Sequence, residues 1–326
     1  MTIRTMRPQL AVAVLFGFAG CHAQPSGTVP THQTAVAGKH GAAGGPAVAA
    51  SAAPDRSGTL EERLARLEDA YARDAEALEF LNKVYAQQKA QQDQQDRDEP
   101  APDAVFAVNI ADDVTAGQVD GPATAAVTII KAFDFACPYC QRMASTLDDV
   151  VKDYGGKVRV VYMNLVIHAQ ARPAHLASCA AAKQGKYKQF KAAFWDKGFL
   201  PYAASQGKDS SPLEEPNILA ISKDLGLDTG KLKADMASPA CAARIDGDMQ
   251  ELAKFHVSST PTFFINGKHQ SGAMPAERLR EIVDEQLKAV AASGVPAAQY
   301  YSKVVLDKGE KQFRSKMDPP PADPKR

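Results

Sequence analysis

The sequence lacks an excess of charge of either sign. Among its 326 residues, 38 Lys and Arg balance 38 Asp and Glu, so the formal net charge at pH 7 is zero. Nucleic acids and anionic membrane surfaces attract proteins that carry a basic excess. The composition gives no reason to expect such a partner, and we predict that the protein does not bind nucleic acid.

Cysteine is scarce, and its spacing argues against a zinc site. The five cysteines are Cys21, Cys137, Cys140, Cys179 and Cys241. The CPYC pair at 137–140 would need two further ligands at matched spacing, usually a second CxxC or a pair of histidines. Cys179 and Cys241 each stand alone in the sequence, and the seven histidines show no paired spacing. We therefore expect no metal and no other cofactor.

The N-terminal apolar run is short. It extends from Leu10 to Gly20, follows two arginines, and is about half as long as a membrane-spanning helix, so residues 1–21 are typical of an export signal. The ending FAGC resembles the lipobox of bacterial lipoproteins, in which the cysteine, here Cys21, is lipidated. Phe18 replaces the usual Leu, so ordinary cleavage near Ala23 is the alternative. The resemblance implies a bacterial envelope protein that faces the periplasm, lipid-anchored through Cys21.

Two segments follow the signal. Residues 22–57 are rich in Ala, Gly, Pro, Ser and Thr and predict a disordered linker. Residues 58–98 predict a helical stalk, because Thr59 and Glu62 have the spacing of a capping box. Its seam, with alternating steps of four and three, consists of Leu60, Leu64, Leu67, Tyr71, Asp74, Leu78, Leu81 and Tyr85. This pattern predicts a coiled coil and a homo-oligomer through residues 60–92; a solvated spacer helix is the alternative.

Residues 105–293 predict one α/β domain. Content of β-branched and aromatic residues predicts three strands, at 105–110, 126–135 and 158–166. Helices are predicted after the cysteines to about 154, over 173–255 with breaks, and from 275 to about 293. A hairpin is predicted over 262–273, with Asn266 and Gly267 at its turn. For residues 294–326 we expect a C-terminal helix and a disordered tail.

The position of the CPYC pair indicates redox chemistry. A cysteine at a strand-to-helix junction lies where unpaired main-chain N–H groups and the helix dipole favour a thiolate. Cys137 occupies this junction, and Pro138 suits the first helical turn because its missing N–H would be unpaired there. Cys140 lies one turn later and is more shielded, so it should have the higher pKa. Cys137 would then attack a substrate disulfide, and Cys140 would resolve the mixed disulfide.

FDFACPYC followed by SSTPTFFING about 120 residues later, with helices between them, resembles the DsbA-like branch of the thioredoxin superfamily, over roughly residues 105–293. The resemblance implies a thioredoxin-like fold with an inserted helical region. It also implies that Pro261 is cis beside the redox cysteines and that Thr260 offers its backbone to a substrate strand. The substrate-binding residues would be Pro138, Tyr139, Thr260 and Pro261. Relatives often join cysteines at the places of Cys179 and Cys241 in a structural disulfide, which we expect here.

One residue departs from the family pattern. A buried acidic residue is common six positions before the first cysteine, but Lys131 stands there. Lys131, with a lowered pKa, could accept the proton of Cys140. Alternatively, Cys140 could lose its proton to water and to the substrate. We favour a third interpretation, in which Lys131 merely extends to the surface. Asp134 is acidic and is the other candidate for a proton relay, although strand alternation puts it on the opposite face from Lys131.

The dipeptide between the cysteines bears on direction. A His between the cysteines can carry a positive charge that stabilises the thiolate and makes the disulfide a strong oxidant. Tyr139 cannot carry such a charge, so its presence favours a more reducing couple. CPYC with Thr before the cis proline resembles isomerase and reductase relatives, which are oligomeric. We therefore expect a disulfide isomerase or reductase of exported cysteine-containing proteins, served by a DsbD-like membrane reductant. The alternatives are a dithiol oxidase with a DsbB-like partner, and a peptide-binding envelope chaperone with secondary redox activity.

Overall fold

A computed structural model describes residues 55–320. The predicted signal segment, the lipidation site at Cys21 and residues 22–54 of the predicted linker lie outside the described residues. In the part that is described, no helix is both long enough and apolar enough to span a membrane.

The first described element is one long helix, α1 (Leu60–Asp98). The predicted capping box is present at its start: the Thr59 N–H donates to Glu62 Oε2 at 2.8 Å, and the Glu62 N–H donates to Thr59 Oγ1 at 3.3 Å. The large apolar residues of the seam are exposed, from 40% at Leu78 to 74% at Leu60. The helix is therefore present, and the coiled coil stays a prediction.

The elements that follow form an α/β domain with a five-stranded sheet. The strands are β1 (Val119–Asp120), β2 (Val127–Phe133), β3 (Val158–Asn164), β4 (Thr262–Ile265) and β5 (Lys268–Ser271). The helices are α2 (Ala111–Thr115), α3 (Pro138–Asp153), α4 (Arg172–Ala182), α5 (Tyr187–Phe194), α6 (Leu200–Ala204), α7 (Glu215–Asp224), α8 (Thr229–Met236), α9 (Pro239–Ala253), α10 (Ala276–Ala292) and α11 (Ala297–Tyr300). The sheet order is β1-β3-β2-β4-β5; β2 and β3 are parallel, and the other neighbours are antiparallel.

The central strand β2 is buried along its whole length. Successive side chains of a strand point to opposite faces, so a strand covered on both faces is apolar almost throughout. Ile129 and Phe133 pack on one face against α3, α10 and the inserted helices. Ile130 and Ala132 pack on the other face, in a core built around Phe106 and the C-terminal segment. The predicted thioredoxin-like layout, with helices α4–α9 inserted between β3 and β4, is confirmed.

The predicted hairpin is also present. Asn266 and Gly267 have φ values of 45° and 83°, which suits a two-residue turn with positive φ at both positions. A Cβ at Gly267 would lie 2.7 Å from Val105 Cγ1 and 2.9 Å from the Phe106 carbonyl oxygen. Close approach of the main chain, as well as the turn, therefore requires glycine.

The predicted strand over 105–110 is wrong. This segment crosses the end of the hairpin instead of lying beside a strand: the Phe106 N–H donates to the Gly267 carbonyl at 2.8 Å, and the Ala107 N–H donates to the Glu310 carbonyl at 2.7 Å. One isolated bridge, between Phe106 and Glu310, is all the ladder it forms. The short edge strand β1 was not predicted, because two residues carry no periodic signal.

The expected disorder of the C-terminal tail is wrong through residue 318. After α11, a π-helical turn at Tyr301–Leu306 buries Val305, and the Tyr301 hydroxyl donates to the Val108 carbonyl at 2.7 Å. Phe313 stacks on Phe106 with ring centroids 6.0 Å apart. Because its partners are distant in sequence, the tail completes the core on the second sheet face. Residues 321–326 lie outside the described residues.

A disulfide ties two of the inserted helices together. Cys179 of α4 is bonded to Cys241 of α9, across a sequence separation of 62 residues. Both sulfur-bearing residues are buried. The bond therefore closes most of the helical insertion into one loop.

Replacing Cys179 and Cys241 by Ala should lower the free energy of unfolding by about 4 kcal/mol, which the chain-entropy model gives for a loop of this length. The measurement is urea unfolding followed by circular dichroism. It is made in a C137S/C140S background, so that no other thiol can exchange with the pair. A loss below about 1 kcal/mol would show that the bond constrains little.

Candidate active site

Cys137 lies where β2 passes into α3. It is the N-cap of α3 with φ −85° and ψ 118°, and Pro138 occupies the first helical position, as expected. The Cys140 N–H approaches Cys137 Sγ at 3.4 Å. The same N–H also donates to the Cys137 carbonyl at 3.1 Å. A helix N-terminus directs its first N–H groups outward, so a sulfur anion at the N-cap gains hydrogen bonds from them.

The cis-proline loop approaches the same sulfur. The Thr260–Pro261 peptide bond is cis, and the Thr260 carbonyl oxygen lies 3.3 Å from Cys137 Sγ. The Pro261 carbonyl accepts from the Gly272 N–H at 2.9 Å, which holds the loop to the strand that follows. Two motifs more than 120 residues apart in sequence therefore meet at one atom.

The two cysteines are chemically unequal. Hydrogen bonds from the Cys140 thiol, then from the Thr260 side chain and from the N–H groups of Cys140 and Tyr139, lower the pKa of Cys137 to about 5, against the opposing effect of burial. Burial, followed by the hydrogen bond to Cys137, raises the pKa of Cys140 far above its usual range. At neutral pH the pair is thus one thiolate and one thiol, which suits one attacking and one resolving sulfur.

Tyr139, between the cysteines, faces solvent. Its side chain is 52% exposed, and the Arg142 guanidinium lies 4.3 Å from the ring centroid. An aromatic face held by a cation beside a reactive sulfur is a surface on which a peptide can rest.

The expectation that Lys131 extends to the surface is wrong. Its side chain is 1% exposed, and its Nζ donates to the Cys140 carbonyl at 2.9 Å. Burial lowers the pKa of Lys131, while the nearby cysteines raise it. The side chain cannot reach solvent because Lys131 lies in the middle of the central strand β2, which is buried along its whole length.

Asp134 is not aimed at the sulfurs. One oxygen accepts from the Ala136 N–H at 2.7 Å; the other accepts from the N–H groups of Ile167 and His168, each at 2.7 Å. These bonds tie the loop before Cys137 to the loop after β3. Asp134 thus holds the active-site loop in place, and its carboxylate oxygens do not reach the proton of Cys140.

A buried polar chain that the sequence did not reveal supports the same loop. His175 Nε2 accepts from the Phe135 N–H at 3.2 Å, and its Nδ1 pairs with Asn164 Oδ1 at 2.8 Å. Burial lowers the pKa of His175 to about 4, so the ring is neutral at pH 7. Asn164 Nδ2 donates to Asp248 at 2.6 Å, and Arg244 donates to the other Asp248 oxygen at 2.6 Å. No sequence signal marked this group, because its members come from three elements that are distant in sequence: α4, β3 and α9.

A dithiol at a helix N-terminus beside a cis proline, on this sheet, defines a thiol–disulfide oxidoreductase of thioredoxin fold. The chain belongs to the thioredoxin family: a family model described as Thioredoxin matches residues 112–285, just over half of its length.

Several solved structures are similar to about half of this chain. A thioredoxin-like oxidoreductase from Silicibacter pomeroyi is 30% identical, with a TM-score of 0.44, over 52% of this chain and 91% of that one. BdbD from Bacillus subtilis is 21% identical with a TM-score of 0.46, over 58% and 99%. The catalytic domain of Proteus mirabilis ScsC is 20% identical with a TM-score of 0.42, over 56% and 99%.

The curated relatives that the chain matches are longer proteins, named as sodium/proton antiporters. The Na(+)/H(+) antiporter NhaA of Herminiimonas arsenicoxydans is 28% identical over 179 residues, which is 55% of this chain and 27% of that protein. NhaA 3 of Salinispora tropica is 33% identical over 168 residues, which is 51% and 24%. The chain thus spans about a quarter of the length of the curated relatives it matches.

Replacing Cys140 by Ala should raise the pKa of Cys137 by about one unit, because it removes the largest stabilising hydrogen bond to the thiolate; bonds to charged groups contribute about 1.5–3 kcal/mol, and a thiol is a weak donor. Ultraviolet absorbance of the thiolate, titrated with pH, measures the change. Cys140→Ser is the matched control, because its hydroxyl keeps a donor and should keep the pKa low. Equal values for C140A and C140S would contradict the assignment.

Proposed function

We propose that the protein is an exported thiol–disulfide oxidoreductase that reduces or isomerises disulfides in other exported proteins. The observation that carries this proposal is the position of Cys137 at the N-cap of α3, 3.3 Å from the Thr260 carbonyl of the cis-proline loop, where hydrogen bonds lower the pKa of its thiol. A thiolate at neutral pH, next to main chain that can receive a peptide, is the minimum that disulfide exchange needs.

The exchange begins with the thiolate of Cys137. It attacks one sulfur of a substrate disulfide, a bond forms between that sulfur and Cys137, and the other substrate sulfur leaves. In isomerisation a second substrate thiolate attacks the mixed disulfide and frees Cys137. In reduction the Cys140 sulfur attacks Cys137, and the substrate sulfur bound to Cys137 leaves. A dithiol of a DsbD-like membrane reductant would then give two electrons to the Cys137–Cys140 disulfide, and would itself become a disulfide.

Substrate recognition falls to the groups that surround this sulfur. Thr260 and Pro261 would offer main chain to an extended peptide, which would add to the site as a strand. Pro138 and Tyr139 would contact the peptide on the other side, where the Tyr139 ring is exposed. Main-chain hydrogen bonds would supply the affinity, and few contacts would depend on the side chains of the substrate. Such binding suits an enzyme with many substrates.

A specific observation favours a second candidate, a dithiol oxidase with a DsbB-like partner. A Cys137 thiol with a pKa of about 5 is a thiolate at neutral pH, which stabilises the reduced form of the pair, and a stabilised reduced form makes the disulfide a stronger oxidant. Against this, the CPYC dipeptide offers no His to strengthen the effect. We retain isomerase or reductase as the primary proposal.

Alkylation of thiols in intact cells should find Cys137 and Cys140 reduced at steady state, because an isomerase needs a free thiolate to begin each exchange. Mass spectrometry of the trapped protein gives the ratio. The Cys179–Cys241 disulfide is the internal control, since it should stay oxidised in the same sample. Cells that hold Cys137 and Cys140 mainly as a disulfide would establish the oxidase instead.

We further propose that the chain is anchored to a membrane by a lipid on Cys21, faces the periplasm, and self-associates through α1. The support for self-association is the seam itself: seven large apolar residues at coiled-coil spacing are exposed on a helix that precedes the catalytic domain. Exposed apolar stripes of this kind are typical of an interaction surface. Oligomers would place several active sites around one misfolded substrate.

Replacing Leu67 and Leu81 by Ser, in protein carrying Cys21→Ser to avoid the lipid, should convert the oligomer to a monomer and lower the rate of refolding of scrambled ribonuclease several-fold. Sedimentation equilibrium and the refolding assay measure the two effects. Phe80→Ser is the matched control, because Phe80 is equally apolar and 64% exposed but lies off the seam. Monomeric wild-type protein, or equal effects of both changes, would contradict the proposal.

A further inference from the structure

Lys131 brings an ammonium group into the core beneath the active site. It lies in β2 on the same face as Ile129 and Phe133, with Tyr162 and Phe263 as its neighbours in the adjacent strands. Its Nζ donates to the Cys140 carbonyl at 2.9 Å, and the side chain is otherwise buried on the sheet face that packs against α3, α10 and the inserted helices. A buried ammonium is costly unless an opposite charge lies nearby.

The charges near Lys131 leave few candidates for that partner. The titratable groups that face it are Cys137, Cys140 and Asp148 of α3, Tyr162 of β3 and Lys191 of α5. Asp148 is exposed and therefore screened by water. Lys191 is itself a buried amine, 3.6 Å from the Tyr162 ring centroid, and burial lowers its pKa to about 7, so it offers no negative charge. Among these described groups, the buried anion is the Cys137 thiolate.

The two redox states therefore differ in what they offer Lys131. In the reduced protein, thiolate and ammonium compensate one another inside the core. When Cys137 and Cys140 form a disulfide, the negative charge disappears and a charged Lys131 would be left without a buried partner. The cheaper outcome is loss of its proton, since a neutral amine carries a far smaller desolvation cost.

We propose that Lys131 is the counter-charge of the reduced dithiol and releases its proton when the Cys137–Cys140 disulfide forms. This inference rests on the proposed function and adds a proton to it. Lys131 would be charged in the reduced protein and neutral in the oxidised protein. The total charge of Cys137, Cys140 and Lys131 is then zero both before and after electron transfer.

The stoichiometry balances. The reduced site holds a Cys137 thiolate, a Cys140 thiol and a Lys131 ammonium; the substrate holds one disulfide. Two electrons pass from the dithiol to the substrate, the Cys137–Cys140 bond forms, and the substrate bond breaks. The two substrate sulfurs leave as thiols with two protons, one from Cys140 and one from Lys131. The total charge is zero on each side.

This balance predicts an unusual pH dependence. Between about pH 6 and about pH 8, glutathione is a protonated thiol and Cys137 is a thiolate. Oxidation of the protein by glutathione disulfide then yields two glutathione thiols, which need two protons, and the wild-type site supplies both. The equilibrium constant should therefore be independent of pH in this range. Without proton release from Lys131 one proton must come from solution, and the constant should fall about tenfold per pH unit.

The test is the equilibrium between purified protein and glutathione redox buffers over this pH range, read by quenching and mass spectrometry. We expect a flat profile for the wild type and a tenfold fall per pH unit for Lys131→Met. Lys191→Met is the matched control, because it removes another buried amine and should keep the flat profile. Absorbance titration of Cys137 in each variant ensures that its thiolate is present throughout.

A wild-type profile that falls tenfold per pH unit would overturn the proposal, because Lys131 would then keep one charge state in both redox forms. The wild-type slope decides this even if K131M does not fold, and Lys131→Gln provides a second uncharged variant. Failure of the proposed function is distinguishable: the Cys137–Cys140 disulfide would then not form in any glutathione buffer, at any pH.

Discussion

The structure depends on one electrostatic constraint, the placing of a sulfur anion at the N-terminus of α3. Helix N–H groups, the Cys140 thiol and the Thr260 side chain converge on Cys137 Sγ and lower its pKa to about 5. Burial opposes this, so the donors must be held in place by the surrounding protein. Asp134 fixes the preceding loop through three main-chain N–H groups, and His175 accepts the N–H of Phe135. Two buried polar side chains, Asp134 and His175, thus serve the position of one atom.

The local features of the site could be predicted from the sequence, because each resides in a short stretch. CPYC after a strand gave the helix N-cap and the inequality of the two sulfurs; Asn266-Gly267 between two extended runs gave the hairpin. The central strands and the capping box were predicted for the same reason. The cis proline and the Cys179–Cys241 bond came from the family resemblance, and the residues alone would not have given either.

The features that could not be predicted are those whose partners are distant in sequence. The tail was expected to be disordered because its own composition is polar, but Phe313 stacks on Phe106 and Arg314 offers its carbonyl to the Ala101 N–H. The segment 105–110 was read as a strand because its composition suits one, although its hydrogen bonds go to a turn and to that tail. The chain from His175 through Asn164 to Asp248 joins three elements, and no periodicity connects them.

Lys131 shows how tertiary context reverses a sensible expectation. A lone lysine in a strand usually extends to solvent, but the strand that holds Lys131 is covered on both faces. A chain that buries an amine there must tolerate its desolvation in at least one redox state. If that amine is neutral when the cysteines are joined and charged when they are separate, the cost is confined to the state in which a thiolate offsets it. The same residue then links the charge of the core to the redox state of the site. A basic residue in place of the acidic residue common beneath the cysteines is therefore compatible with thiol–disulfide exchange.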